Sequence, residues 1–131
     1  MLVIRKQQIQ EFIARSENEL IDVVREAIRK AVKERVHVYD DPQLNEMLKV
    51  GIARAKSHGL TAAEDIAGFV AIMFEVAPRF DEVAEIRAVL EDERFPPDLR
   101  FEQLFQRLSD EPWIEAGKKY DDTFWFPEKA V

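Results

Sequence analysis

One stretch of the chain is apolar on nearly every side of the helix that it predicts, and it constrains the fold more than any other feature. The stretch covers residues 62–77. Its large or apolar side chains are Ile66, Ala67, Phe69, Val70, Ile72, Met73, Phe74 and Val76. A helix that is apolar all round has to be surrounded by other elements, because water would otherwise contact its side chains. The stretch therefore predicts a central helix inside a helical domain.

Signals at both ends set the bounds of this helix. Gly59 stands where the left-handed cap that ends the preceding helix belongs. Thr61 and Glu64 have the spacing of a capping box, in which each side chain accepts a hydrogen bond from the backbone N–H of the other residue. Pro78 ends the helix, since the residue before a proline disfavours helical geometry. His58, just before Gly59, is expected to interact as a cation with the end of the preceding helix.

Amphipathic helices are predicted before this stretch. Residues 5–35 place apolar side chains in steps of three and four, which indicates a helix of about 30 residues with a kink or break near Ser16. Asp41 followed by Pro42 is predicted as the cap and first residue of the next helix. Gly51 inside that helix predicts a close crossing with another helix, because glycine is otherwise unfavourable there.

Shorter helices are predicted after it. Asp81 is expected to cap a fourth helix, and a fifth covers residues near 98–109. Pro112 starts a short sixth helix that Gly117 could end early. No strand pattern of any length is present. The prediction is an all-α single domain over residues 1–131, with five to six helices around the 62–77 helix and an aromatic C-terminal tail at 120–131.

Composition excludes several functional classes. The 131 residues contain no cysteine, so disulfides and thiolate sites are excluded. No apolar run approaches the roughly 20 residues that span a bilayer, and the first residues lack a signal-peptide pattern. We therefore expect a cytoplasmic protein without membrane insertion. Residues 61–131 hold 17 acidic against 8 basic side chains, which argues against a nucleic-acid partner, since phosphate neutralisation needs clustered cations.

Catalytic and metal-binding patterns are weak. A helix–turn–helix DNA reader needs polar side chains on its second helix, and the 62–77 helix has no Lys, Arg, Asn or Gln. Glu34 and His37 have Glu-x-x-His spacing, but a di-metal bundle needs two such motifs and further inward carboxylates. No serine lies in a nucleophile motif, and no glycine-rich phosphate loop exists. We predict no catalytic, metal-binding or cofactor-binding residue and no cofactor.

Two surfaces are candidates for binding a partner. The first is a basic face on the long N-terminal helix, represented by Arg25, Arg29 and Lys33; a solvated helix face is its plain alternative. The second is a dense set of aromatic residues near the C-terminus. Its members are Trp113, Tyr120, Phe124, Trp125 and Phe126. These rings either fold back and seal an open end of the bundle or serve as anchors for a partner protein, and the two roles can coexist.

Six local motifs occur in the first three quarters of the chain: Ile4-Arg5-Lys6-Gln7-Gln8, Gly51-Ile52-Ala53-Arg54-Ala55, His58-Gly59-Leu60-Thr61, Glu64-Asp65-Ile66, Met73-Phe74 and Phe80-Asp81. They resemble those of a family of small helical proteins encoded beside type VI secretion components, among PAAR-tip and toxin genes. The resemblance covers roughly residues 2–95. This chain departs from the family at Glu85-Ile86-Arg87, near which relatives often have a tryptophan, and in its acidic aromatic tail.

The resemblance carries no catalytic residues to transfer and implies an accessory role at a secretion locus. We expect a non-enzymatic protein–protein interaction module that acts as an adaptor, an effector chaperone or an immunity protein. Its partner would be a secreted effector or a secretion component. Two alternatives stay open: a metal- or carboxylate-dependent hydrolase, and a structural homo-oligomer.

Overall fold

The computed structural model describes residues 17–126, and every regular element in that range is helical. The α-helices are α1 (Glu17–Ala31), α2 (Lys33–Val36), α3 (Asp41–Ser57), α4 (Ala63–Glu75), α5 (Ala84–Leu90), α6 (Pro97–Arg107) and α7 (Asp110–Lys118). Two 3₁₀ turns cover Phe80–Glu82 and Asp122–Phe124. The all-α prediction is therefore confirmed over these residues, with seven α-helices instead of five to six. The predicted helical residues 5–16, the break near Ser16 and the end of the tail at 127–131 lie outside the described residues.

Helix α4 is the most buried element that the structure describes. Ala63 and residues 66–74 are all buried, and the helix contacts α1, α2, α3 and α6. Phe69 is fully enclosed and contacts the rings of Phe80 and Phe101 at centroid distances of 4.8 and 6.4 Å. Burying a phenylalanine side chain contributes roughly 1.5–3 kcal/mol relative to leaving it in water. The helix thus forms part of a continuous apolar core.

Helices α3 and α4 cross closely at a glycine, as the sequence predicts. A Cβ atom on Gly51 would lie 3.1 Å from Cγ2 of Val70 and 3.2 Å from its Cγ1. These distances are shorter than ordinary carbon–carbon contacts, which lie at about 3.5–4.0 Å. A side chain at position 51 would require Val70 to shift by a few tenths of an ångström, so glycine suits this close approach.

The turn between α3 and α4 combines one confirmed and one wrong prediction. Gly59 has a φ of +84°, the left-handed conformation expected of a helix-ending glycine. The capping box at Thr61 and Glu64 is wrong, because Ala62 is the N-cap and the Thr61 hydroxyl donates to Asp98 of α6. A residue of α6 therefore binds this turn. Asp98 accepts hydrogen bonds from the N–H groups of Thr61 and Ala62 and from the Thr61 hydroxyl.

Three further boundaries differ from the predicted ones. The first long helix is interrupted at Val32, which separates α1 from α2. The cap of α3 is Asp40, one residue earlier than predicted, and its carboxylate and the Gln43 side chain form a reciprocal capping box with each other's backbone N–H groups. Helix α7 continues through Gly117 to Lys118. Such shifts of one or two residues arise because neighbouring polar residues compete for the same cap.

Asp81 differs most from its predicted role. The sequence predicts that it caps the fourth helix, but Val83 is the N-cap of that helix, α5, and makes no side-chain hydrogen bond. Asp81 lies in the 3₁₀ turn before that helix and is 4% exposed. A buried carboxylate is unfavourable unless hydrogen bonds and opposite charges stabilise it. Its surroundings are therefore the first place to look for a functional site.

Candidate functional site

Asp81 lies at the centre of a charged cluster that joins α3 to the loop after α4. Arg54 donates to Asp81 Oδ1 through Nη2 at 2.7 Å and Nε at 3.1 Å. His58 Nε2 lies 2.7 Å from the other oxygen, Oδ2. Because an ionised carboxylate can only accept, the proton of the imidazole is on Nε2. Both carboxylate oxygens of Asp81 therefore have partners.

The cluster extends to the surface through two further charged residues. Arg54 Nη2 also donates to Glu82 Oε2 at 2.9 Å, and Arg79 donates to the same oxygen at 3.3 Å. The guanidinium carbons of Arg54 and Arg79 lie 5.2 and 5.3 Å from the ring centroid of Phe124. At these distances a guanidinium is attracted to the face of an aromatic ring.

The ionisation of Asp81 follows from these contacts. Burial by itself would raise the pKa of this carboxyl group, because it removes the charged form from water. The hydrogen bonds from His58 and Arg54, together with the positive charge of Arg54, outweigh that effect and hold the pKa of Asp81 below its ordinary value. Asp81 is therefore a carboxylate at neutral pH, and its negative charge balances that of Arg54.

An aspartate that orients a histidine is also found in catalytic triads, so the chemistry of this pair needs testing against its surroundings. A nucleophile would have to lie within hydrogen-bond reach of the imidazole. The nearest serine in sequence, Ser57, donates instead to the backbone carbonyl of Arg54. On the other side, the His58 ring packs against Phe69, at a centroid distance of 5.4 Å. These contacts make the pair a connector between α3 and the 77–83 loop.

A shallow groove of about 430 Å³ lies elsewhere, between α1 and α3. Its lining residues are Asn18, Ile21, Asp22, Pro42, Asn45, Glu46 and Lys49. None of them belongs to the Asp81 cluster. Within residues 17–126, no group of three histidine or acidic side chains is placed to hold a metal ion. Glu34 and His37, the one sequence match to a metal motif, are both exposed at the short helix α2.

The predicted basic face is mostly engaged in contacts inside the molecule. Arg29 donates to the Asp41 carboxylate at 2.7 Å and to the carbonyl of Tyr39 at 2.8 Å. Arg25 donates to Asn45 at 2.8 Å and pairs with Asp22 at 3.0 Å. Lys33 is exposed on α2. The two arginines therefore hold α1 against the start of α3, and Lys33 alone of the three extends into solvent.

The predicted aromatic residues divide into two groups. Phe124, Trp125 and Phe126 pack on the bundle: Trp125 is buried and stacks on Phe74 at 4.7 Å, and Phe126 contacts Tyr39 at 6.0 Å. These placements match the interpretation in which the end of the chain folds back. Tyr120 is exposed. Trp113 is half-buried between the rings of Phe80 and Phe105.

An exposed apolar surface that the sequence does not reveal includes Phe105 and Ile114. Phe105 of α6 is 43% exposed and stacks on Trp113 at 6.0 Å, while Ile114 of α7 is 56% exposed. We call Phe105, Trp113 and Ile114 the apolar patch. Gly117, one turn after Trp113, has no atom within 4 Å of where its Cβ would stand, so the surface beside the patch is open. The spacing of Phe101, Leu104, Phe105 and Leu108 predicts one apolar face on α6, and only the helix packing leaves Phe105 exposed.

Comparisons with known proteins found no match to this chain among family models, curated proteins or solved structures. None of the helices in the described range is both long and apolar enough to cross a membrane.

Proposed function

We propose that the protein is a non-enzymatic interaction module that binds a partner protein through the apolar patch. The observation that carries the proposal is the exposure of Phe105, which stacks on the half-buried Trp113, and of Ile114, the next residue along α7. Accessible aromatic and apolar side chains are efficient anchors, because they bury a large area on binding while losing little side-chain freedom. In this proposal the bundle around α4 is the scaffold that holds α6 and α7 in place.

The charge of the chain indicates what kind of partner would fit. Residues 61–131 carry 17 acidic and 8 basic side chains, and Asp110, Glu111 and Glu115 surround Trp113 and Ile114 in the sequence of α7. A complementary partner presents an apolar anchor within a cationic surface, since opposite potentials speed association and select against wrong partners. For an immunity protein, this is the physical means of blocking a cationic toxin cleft.

The resemblance to proteins of type VI secretion loci supplies the biological setting of the proposal. In this proposal the protein acts in the bacterial cytoplasm as an adaptor, an effector chaperone or an immunity protein. The partner would then be encoded near this chain, as a secreted effector or a secretion component. The basic face of α1 contributes less to binding in this proposal, because Arg25 and Arg29 already bind acceptors in their own chain.

The test is to co-purify the protein with the products of its neighbouring genes and to measure the affinity of any complex by calorimetry. A double variant, Phe105→Ser with Ile114→Ser, removes the anchors. The matched control is Val38→Ser with Val50→Ser, two aliphatic residues that are 66% and 47% exposed away from the patch. We expect a loss of at least about tenfold in affinity, or 1.4 kcal/mol, for the first variant only. Equal affinities of the two variants would contradict the proposal.

The same samples separate the alternatives. A hydrolase with a metal site at Glu34 and His37 would contain stoichiometric metal, lost in a Glu34→Ala, His37→Ala variant. A structural homo-oligomer would show a multiple of the monomer mass by light scattering and would capture none of the neighbouring gene products.

A further inference from the structure

Three consecutive aromatic side chains near the end of the described chain contact three separate parts of the bundle. Phe124 lies against Arg54 and Arg79, Trp125 stacks on Phe74 with an interplanar angle of 8°, and Phe126 contacts Tyr39. We call residues 120–126 the aromatic segment. The receiving surface is formed by Tyr39, Arg54, Phe74 and Arg79. This surface combines two cations with an apolar shelf.

The chemistry of the segment complements that of the surface. The segment carries Asp121 and Asp122 directly before its rings, and the surface carries two guanidinium groups. The hydrogen bonds from Thr123 lower the pKa of Asp121 most, and the charge of Arg79 lowers it further. Because Asp81 and Glu82 already pair with these guanidinium groups, the surface fits the aromatic rings of the segment more than its acidic residues.

Side chains, not backbone hydrogen bonds, hold the segment in place. The described backbone bonds of residues 121–125 are local: Phe124 N–H donates to the Asp121 carbonyl, and Thr123 N–H donates to the Asp121 carboxylate. The indole N–H of Trp125 is buried and has no acceptor. A buried donor without a partner weakens the docked state, because it loses its hydrogen bond to water. The segment therefore fits its surface, but the unpaired indole N–H lowers the stability of the docked arrangement.

We propose that the receiving surface also takes the aromatic segment of a second copy of this chain, so that two molecules exchange their segments. Every contact of Phe124, Trp125 and Phe126 is the same in both arrangements, since the two copies have the same surface. The exchange needs only a change of direction at residues 119–121, between the end of α7 and the 3₁₀ turn at Asp122–Phe124. Exchange of an identical element is a low-cost route to a dimer for this reason.

The absence of native cysteine makes a direct test simple. One preparation carries Tyr39→Cys and a second, isotopically labelled, carries Phe126→Cys; the two are mixed at high concentration and treated with a short bis-maleimide crosslinker. The rings of these residues lie 6.0 Å apart. We expect a covalent dimer with one labelled and one unlabelled chain, and we expect its yield to rise with concentration.

Controls make each outcome informative. Val50→Cys mixed with Phe126→Cys reports random collisions, since Val50 is exposed and is not one of the residues of the receiving surface. A single chain with both Tyr39→Cys and Phe126→Cys reports docking within one molecule. If this chain crosslinks internally while the mixture gives no more mixed dimer than the Val50 control, exchange is overturned. If it does not crosslink at all, the receiving surface itself is overturned.

A second measurement uses the protein without cysteine. Light scattering of the full chain at rising concentration should show a shift toward twice the monomer mass, and Phe124→Ala should remove it by deleting the ring that both arginines contact. Ile114→Ser should leave the shift unchanged, because the apolar patch is not part of the exchanged contacts. A shift that Ile114→Ser abolishes and Phe124→Ala does not would assign the dimer to the patch instead.

Discussion

Two aspartates in this molecule have closely similar partners but lie in different environments. Asp81 binds Arg54 and His58 beside the ring of Phe124; Asp92 binds Arg94 and Arg107 beside the ring of Phe95. Both carboxyl groups have a pKa below the ordinary value, and for Asp92 the main cause is the pair of arginine hydrogen bonds, from Arg94 first. The chemistry of the two clusters is shared.

Burial of the partners is what differs. Arg54 and His58 are largely enclosed, whereas the side chains of Arg94 and Arg107 are 74% and 36% exposed. When Asp92 is removed, water can hydrate its arginines. When Asp81 is removed, Arg54 stays partly buried with only the exposed carboxylate of Glu82 as its counter-charge, and that state is costly. The comparison indicates that the stability lost on removing an aspartate increases with the burial of its cationic partners.

The strongest test is to remove the charge at each site without changing its shape. Asp81→Asn should destabilise the protein by about 3 kcal/mol, because it leaves Arg54 partly buried beside a neutral amide. Asp92→Asn should lower stability by clearly less. Urea unfolding followed by circular dichroism measures both, with the slope of the transition as a check on two-state behaviour. Equal losses at the two positions would mean that burial is not what separates the clusters.

A smaller effect is expected from two glycines, of which Gly59 adjoins the Asp81 cluster and Gly117 lies on α7. Gly59 follows His58, has a φ of +84°, and a Cβ there would lie 2.9 Å from Cβ and Cγ of Pro97. Gly59→Ala should therefore cost about 1–2 kcal/mol from backbone conformation alone. Gly117 is helical and open, so Gly117→Ala should stabilise by about 0.5 kcal/mol.

Thermal unfolding of the two alanine variants checks this pair. The expected shifts in Tm have opposite signs. A stabilised Gly59→Ala variant would show that the turn between α3 and α4 tolerates a side chain and is less constrained than the structure indicates.

Phe124 and Phe95, the rings beside the two clusters, allow the cation–ring contacts of the clusters to be compared. Leucine keeps apolar volume but removes the ring face that the arginines contact. Phe124→Leu should cost about 1 kcal/mol and Phe95→Leu about 0.5 kcal/mol, because a cation–ring contact strengthens as it is withdrawn from water. Denaturant midpoints of both variants, alone and combined with Arg54→Met or Arg94→Met, isolate the contact energy as a double-mutant cycle. A larger coupling at Phe95 than at Phe124 would reverse the comparison.

The smallest effect is a difference in pH and salt dependence. Because the pKa of Asp81 is lower in the folded chain than the unfolded value of about 3.9, its stabilisation is complete above that value. It is lost as pH falls from there through the lower folded-state pKa. Asp92 follows the same direction. Salt should weaken only the exposed cluster, since the Debye length of about 10 Å at 0.1 M screens solvent-exposed charges.

The measurement compares the wild type with Asp81→Asn and Asp92→Asn between pH 5 and the acid transition, at low and high salt. The stability difference between wild type and Asp92→Asn should shrink as salt is added. The difference for Asp81→Asn should persist. Equal salt sensitivity of the two differences would show that Asp81 is hydrated in solution.

The two clusters also differ in how far they could be predicted. Arg94 is two residues from Asp92, so part of that cluster is visible as a local charge pattern. Arg54 and His58 are 27 and 23 residues from Asp81, and nothing in the sequence pairs them. The same limit explains the cap of α4. Asp98 lies 36 residues from Ala62, and a local capping box at Thr61 was the nearest candidate. Local rules identify donors and acceptors but do not choose between near and distant partners.

Four features are predictable from the sequence: the all-helical class, the apolar α4 stretch, the helix-ending role of Gly59 and the close crossing at Gly51. Each depends on periodicity or on the absence of a side chain. Which charges meet and which apolar side chains stay exposed depends on the tertiary structure. In the folded chain Asp81 is buried between Arg54 and His58, and Trp125 stacks on Phe74. Phe105 and Ile114 stay exposed at the surface. The reason is that burial and pairing depend on the relative placement of helices, which side-chain packing sets across the whole domain.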